Sequence, residues 1–163
     1  MRHMVIVIAA SMLLVGCEQP ANDAKNETAQ QSATPLTQES AVPARNFDIA
    51  LLRRGAEVYE KNCAACHGVK GEGAPNWRQR DANDRFPAPP LTGGGHTWHH
   101  PLNALRYTIR HGTQGIGGNM PAWKDKLSDA EIDAVIAWFQ SQWPNEAYAA
   151  WYGIDQRARK RKQ

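Results

Sequence analysis

Residues 62–68 read Asn-Cys-Ala-Ala-Cys-His-Gly, and this stretch restricts the chain's possibilities more than any other. Two cysteines separated by two residues serve three chemistries: a redox disulfide, half of a zinc site, or covalent attachment of haem. A redox pair of the thioredoxin kind needs a strand–helix setting. Here the pair follows a helical pattern, and no βαβ pattern surrounds it. A structural zinc site takes four ligands, commonly from two cysteine pairs. The chain's third cysteine, Cys17, ends an apolar leader and has another expected use. His96, His99, His100 and His111 leave zinc open, as the poorer alternative. Cys-x-x-Cys-His suits haem best. On one turn Cys63 and Cys66 face the same way, within reach of the two vinyl groups of the ring. His67 then points its imidazole at the iron.

Such an iron takes a second axial ligand, and His/Met ligation raises its potential. Of the four methionines, Met1, Met4 and Met12 fall in the leader, which leaves Met120. It stands in Asn119-Met120-Pro121, at the end of a Gly-rich loop. A lone methionine is ordinarily core filler. The loop position and the proline behind it make Met120 the expected ligand. Replacement by one of the four histidines, giving a bis-histidine iron of lower potential, is the alternative.

The leader places Arg2 and His3 ahead of the apolar run Met4 to Val15, too short to span a bilayer comfortably. This is the layout of a secretory signal. Leu14-Val15-Gly16-Cys17 resembles a bacterial lipobox, so residues 1–16 are expected to leave and Cys17 to carry lipid. Residues 17–46 are then the lipidated cysteine and a tether. That segment is rich in Ala, Gln, Thr, Ser, Asn and Pro and nearly free of large apolar side chains. It cannot bury enough surface to offset its ordering entropy. The chain has 19 Lys+Arg against 16 Asp+Glu, but five of the cations crowd into residues 157–162. Residues 154–163 are therefore read as a solvated basic tail. Export makes nucleic acid the least expected partner for it.

Between tether and tail, residues 47–153 read as one domain. Leu52, Ala56, Tyr59 and Cys63 form a helical stripe interrupted by Gly55. Residues 68–100 concentrate Gly and Pro and predict loops. Pro101 opens a short helix with spine Leu102, Leu105 and Ile109, stopped by Gly112. Ser128 and Glu131 form a capping box before Ile132, Val135, Ile136 and Phe139. Residues 145–152 add a short helix closed by Gly153. Strand periodicity is absent. Three or four helices with long loops make a poor core for about 100 residues unless a large apolar group fills the middle.

The chain resembles the small mono-haem class I c-type cytochromes over residues 50–143. The likeness rests on Gly55-x-x-Val58-Tyr59, Cys63-Ala64-Ala65-Cys66-His67-Gly68, Pro89-Pro90-Leu91, Gly112, Met120-Pro121 and the Ile132–Trp138 helix. It implies an all-α cytochrome c-like fold around one covalent haem c. It also implies that the first and last helices cross closely, with Gly55 and Tyr59 meeting Val135 and Trp138. A proline carbonyl, from Pro89 or Pro90, is expected to accept the other N–H of His67. A tryptophan is expected to bond a haem propionate, with Trp98 first and Trp123 second.

These readings converge on a monomeric single-electron carrier. It is lipid-anchored on the periplasmic side of a bacterial membrane and works between membrane redox proteins. With both axial positions filled it is not expected to be an enzyme. Two alternatives remain: an electron-entry subunit of a larger oxidoreductase, docking through Tyr148, Trp151 and Tyr152, or a catalytic haem domain of the peroxidase or gas-binding kind.

Overall fold

Asp48 starts the first helix, α1 (Ile49–Asn62): its backbone is extended and its carboxylate accepts from the Ala50 N–H at 2.6 Å. A computed structural model describes residues 42–161. After α1 it contains α2 (Ala64–His67), α3 (Leu102–His111), α4 (Asp129–Ser141) and α5 (Asn145–Lys160), with 3-10 turns at Thr97–His99 and Gln114–Ile116. No strand occurs among the described residues, and one isolated parallel bridge joins Phe86 to Gly118. The fold is all-α and cytochrome c-like, as expected. The leader, the lipobox with Cys17, and the tether up to residue 41 lie outside the described residues.

The core is built where α1 crosses α4. Gly55, Val58 and Tyr59 are the buried residues of α1, while Leu52 and Ala56 are only half-buried. The buried seam therefore lies slightly round the helix from the predicted stripe. The reason is Gly55: a Cβ there would collide with the carbonyl of Ala134 and with Trp138. Without one, the two backbones approach, and Tyr59 lies against Trp138 with ring centroids 4.1 Å apart. Ile132, Val135, Ile136 and Phe139 fill the α4 side of the core.

The predicted caps form. Ser128 accepts from the Glu131 N–H and Glu131 reaches back to the Ser128 N–H, closing the box that starts α4. Pro101 occupies the cap position of α3, one residue before the first helical residue, and α3 stops at Gly112, whose φ is 71°.

The C-terminal expectation needs correction. Gly153 does not close a short helix, and residues 154–160 are not a separate tail. α5 runs through Gly153 to Lys160. Asp155, 3% exposed, explains this: one oxygen accepts from the Leu102 N–H at 2.9 Å and the other from Arg159 at 2.6 Å. The chain after Gly153 is thus fastened to the start of α3, a partner distant in sequence. Tyr148 and Trp151 are buried and pack on the domain, leaving Tyr152 as the exposed ring of the three. The tether boundary also shifts. Arg45 donates to the carbonyls of Gln140 and Ser141 and lies over the Tyr148 ring, so the chain is docked before Phe47.

The long loop 68–101 is pinned by indoles. Trp143 Nε1 donates to the Leu91 carbonyl at 2.7 Å, and Trp151 Nε1 to the His100 carbonyl at 3.1 Å. Buried indole N–H groups need such acceptors. The two bonds tie the proline segment to the connection after α4 and to α5, which helps set the position of Pro89.

Candidate functional site

Between the α1–α4 core and the loops lies a cavity of about 910 Å³. That is near the top of the range for small-molecule and cofactor sites, about 300–1,000 Å³. Its walls are mainly apolar, including Leu91, Leu105, Ile109, Leu127, Val135 and Phe139. Cys63, Cys66, His67 and Met120 all line it. The four residues predicted to act together are therefore brought to one place.

The turn carrying the motif follows from α1. The Cys63 N–H continues the helical pattern to the Tyr59 carbonyl, and Cys66 and His67 both donate to the Cys63 carbonyl. The Tyr59 hydroxyl holds the end of the turn by donating to the Gly68 carbonyl at 2.6 Å. Burial pushes the Tyr59 phenol well above its usual range, so it remains a donor. Both thiols are free. Cys63 is half-buried, and burial followed by the neighbouring Cys66 pushes its thiol up to about 11. Cys66 is exposed at the cavity's edge.

His67 Nδ1 lies 2.9 Å from the carbonyl of Pro89. A carbonyl only accepts, so Nδ1 carries the proton and Nε2 keeps a free lone pair. Burial lowers the His67 pKa and the Pro89 bond partly offsets this. The result is a neutral, oriented imidazole, the form that ligates metals. The choice between the two prolines is resolved for Pro89. Pro90 does not line the cavity, and its carbonyl accepts from Thr97 at 3.4 Å.

Met120 is fixed by its own loop base. Its N–H donates to the Thr113 hydroxyl at 3.2 Å, and its carbonyl accepts from the Thr113 N–H at 2.9 Å. Trp98 does not line the cavity. It sits in the Thr97–His99 turn, stacks on His99 and packs against the core. The cavity's tryptophans are Trp77 and Trp123. Trp77 stacks on His96 and carries the Arg78 guanidinium over its ring, 4.1 Å from the centroid, and all three line the cavity. Residues 75–78 lie in a loop without periodicity, so only the adjacent Trp-Arg pair could have marked them. His96 and His100 also reach the cavity, whereas His99 and His111 do not. No group of three or more His, Cys, Asp or Glu side chains among the described residues could hold a metal ion.

The residues present suit haem c. The cavity is wide and apolar, two free thiols stand at its wall, one imidazole offers a lone pair, and one thioether faces the same space.

Comparison with known proteins agrees. The family described as "Cytochrome C oxidase, cbb3-type, subunit III" matches residues 50–139. The cbb3-type cytochrome c oxidase subunit CcoP of Azospirillum brasilense is 34% identical over 94 residues, 58% of this chain and 29% of that protein. Cytochrome c6 of Cladophora glomerata is 33% identical over 103 residues, 62% of this chain and 99% of that protein. Cytochrome c6 of Tetradesmus obliquus is 37% identical over 97 residues, 58% of this chain and 91% of that protein. No solved structure matches. The chain spans less than a third of the Azospirillum subunit. The chain belongs to this family: it is a c-type cytochrome, with haem c as the implied cofactor and electron transfer as its class of function.

Proposed function

We propose that the chain is a single-electron carrier with one haem c, held by Cys63, Cys66, His67 and Met120. The Cys63 and Cys66 thiols would hold the haem covalently through its vinyl groups. His67 Nε2 and Met120 Sδ would bind its iron. When bound, the haem supplies a one-electron ferric/ferrous couple. The carrying observation is that one apolar cavity is lined by both thiols, a neutral imidazole and the thioether.

The remaining residues tune and present that couple. Pro89 holds the proton on Nδ1, which makes Nε2 the more basic donor. The apolar walls exclude water and favour the less charged ferrous state. Arg78, which makes no ion pair among the described residues, and Trp77 take the propionates in place of Trp98. At the cavity mouth Cys66 and Ile116, the latter 83% exposed, form the face that a redox partner meets. With both axial positions filled, the chain passes electrons and does no bond chemistry at the iron.

The lipobox-like Leu14–Cys17 supports a lipid anchor on the periplasmic side of a bacterial membrane. No helix among the described residues is long and apolar enough to cross a membrane. A monomeric domain on a tether would meet membrane donors and acceptors at raised effective concentration. No nucleic acid is involved.

The test is spectroscopic. The oxidised holoprotein should show the sulfur-to-iron charge-transfer band of His/Met haem, and Met120→Ala should abolish it. Survival of the band in that variant would refute the ligand assignment. Fast carbon monoxide binding by the reduced native protein would instead point to a catalytic or gas-binding domain. Cys17→Ala should release the protein from membranes.

A second reading, an electron-entry subunit of a larger oxidoreductase, is favoured by the family's description and by the Azospirillum brasilense relative. A stable partner co-purifying from membranes would support it over a diffusing carrier.

A further inference from the structure

We propose that Asp81 is a positioning residue for Met120: through Asn119 it clamps the 112–121 loop against the 81–86 turn and keeps the thioether in place. This rests on the reading of Met120 as an axial ligand.

Thr113 holds the base of the 112–121 loop through its bonds to Met120, and the outer part of the loop is held to the rest of the domain from one side. The loop contains Gly115, Gly117 and Gly118, and its one large apolar residue before Met120, Ile116, is 83% exposed. It buries no side chain that would fix it by packing. Its outward restraint is polar and comes from the 81–86 turn. Asn119 Nδ2 donates to Asp81 Oδ2 at 2.8 Å. The Arg85 guanidinium donates to the carbonyls of Gln114 and Gly118, each at 3.0 Å. Between these, the Phe86 N–H donates to the Gly117 carbonyl at 2.9 Å, and the Asn119 N–H to the Phe86 carbonyl at 3.2 Å.

Asp81 organises this set. Its Oδ1 accepts from the N–H groups of Asn83 and Arg85 at 2.8 and 3.1 Å, and its own N–H donates to the Arg85 carbonyl at 2.8 Å. These bonds close a turn in which Asp84 takes a φ of 59°. One carboxylate thus builds the turn with one oxygen and reaches the ligand loop with the other. An ionised carboxylate suits this because it only accepts, and its bonds are charge-assisted. The Asn119 bond, then the backbone bonds, hold the Asp81 carboxyl below its usual range, in agreement with an interaction made by the charged form. Asn119 adjoins Met120 in sequence, so a slip of this bond is transmitted directly to the ligand.

A clamp on an axial ligand competes with exogenous ligands. A loosened loop spends less time with its thioether in position, and an added ligand gains by that fraction. The decisive variant is Asn119→Ala, which removes the cross-loop side-chain bond and leaves the Asp81 turn intact. Asp81→Ala removes both. Imidazole binding to the oxidised holoproteins should tighten about ten-fold in each variant, and the double variant should bind no more tightly than the tighter single one. Ser128→Ala, which uncaps α4 away from the loop, should lower the unfolding midpoint and leave imidazole affinity within two-fold. The clamp is overturned if Asn119→Ala also stays within two-fold, or if Ser128→Ala tightens binding equally, since the effect would then be global stability. The Met120→Ala spectrum separates the two readings. Loss of the sulfur band with no effect of Asn119→Ala refutes the clamp alone. Retention of the band refutes the ligation and the clamp with it.

Discussion

Gly55 lies directly beneath the carbonyl of Ala134, closer than any Cβ could tolerate. In a free-standing helix, Gly→Ala would gain about 1 kcal/mol. Here the sign reverses, because α1 or α4 must retreat and the Tyr59–Trp138 contact must open. Gly55→Ala should destabilise the oxidised holoprotein by about 1–3 kcal/mol, as overpacked cores do. Guanidinium unfolding checks this, and an unchanged or raised midpoint would show that the crossing relaxes freely.

The carbonyl that orients His67 is itself wedged by a glycine. Gly73 has a φ of 73°, and a Cβ there would press into the Pro89–Pro90 peptide. Gly73→Ala should displace the Pro89 carbonyl and weaken its bond to Nδ1. The imidazole then donates less electron density, the ferric state loses support, and the midpoint potential rises. Spectroelectrochemical titration should find that rise with the His/Met spectrum intact. An unchanged or lower potential would refute the coupling.

Asp155 carries the correction at the C-terminus. Pro101 offers no side chain to cap α3, and Asp155 supplies the acceptor from 53 residues along the chain, bonding the Leu102 N–H at 2.9 Å. Asp155→Ala should cost about 1–2 kcal/mol, the scale of a lost helix cap. Arg157→Ala, two residues further along α5 and exposed, should fall within about 0.5 kcal/mol. Equal midpoints for the two variants in chemical denaturation would mean that the bond contributes nothing.

The elements that were legible in the sequence are those whose cause is local. The Ser128–Glu131 box, the stop at Gly112 and the Cys-x-x-Cys-His turn each need only neighbours a few residues apart. Elimination and loop position pointed to Met120, which lines the cavity, and the resemblance pointed to Gly55. What escaped depends on distant partners. Nothing local announces that Asp155 will be buried against Leu102, so residues 154–163 read as a tail. Trp98 looked suitable as an indole donor, but the chain's path in a Gly/Pro-rich loop decides which indole reaches the cavity, and it selects Trp77 and Trp123. Arg45 sits in a polar segment and finds its carbonyls 95 and 96 residues away.

Acid should expose the carboxylates that the fold uses as acceptors. Glu131 is held below its usual range first by the Ser128 backbone and hydroxyl, then by Arg54. A carboxyl whose folded pKa is depressed contributes stability above its unfolded pKa, about 4.3 for Glu, and that contribution is lost as pH falls through the folded value. The thermal midpoint of the holoprotein should therefore be flat above about pH 5 and drop below about pH 4. Glu131→Gln retains an acceptor for the Ser128 N–H but has no charge to lose. Its midpoint should start lower at pH 7 and fall by less than that of the native protein on going to pH 3. Parallel curves for the two proteins would place the acid sensitivity in other groups, with Asp81 and Glu72, both also depressed by hydrogen bonds to backbone or amide donors, the next to replace.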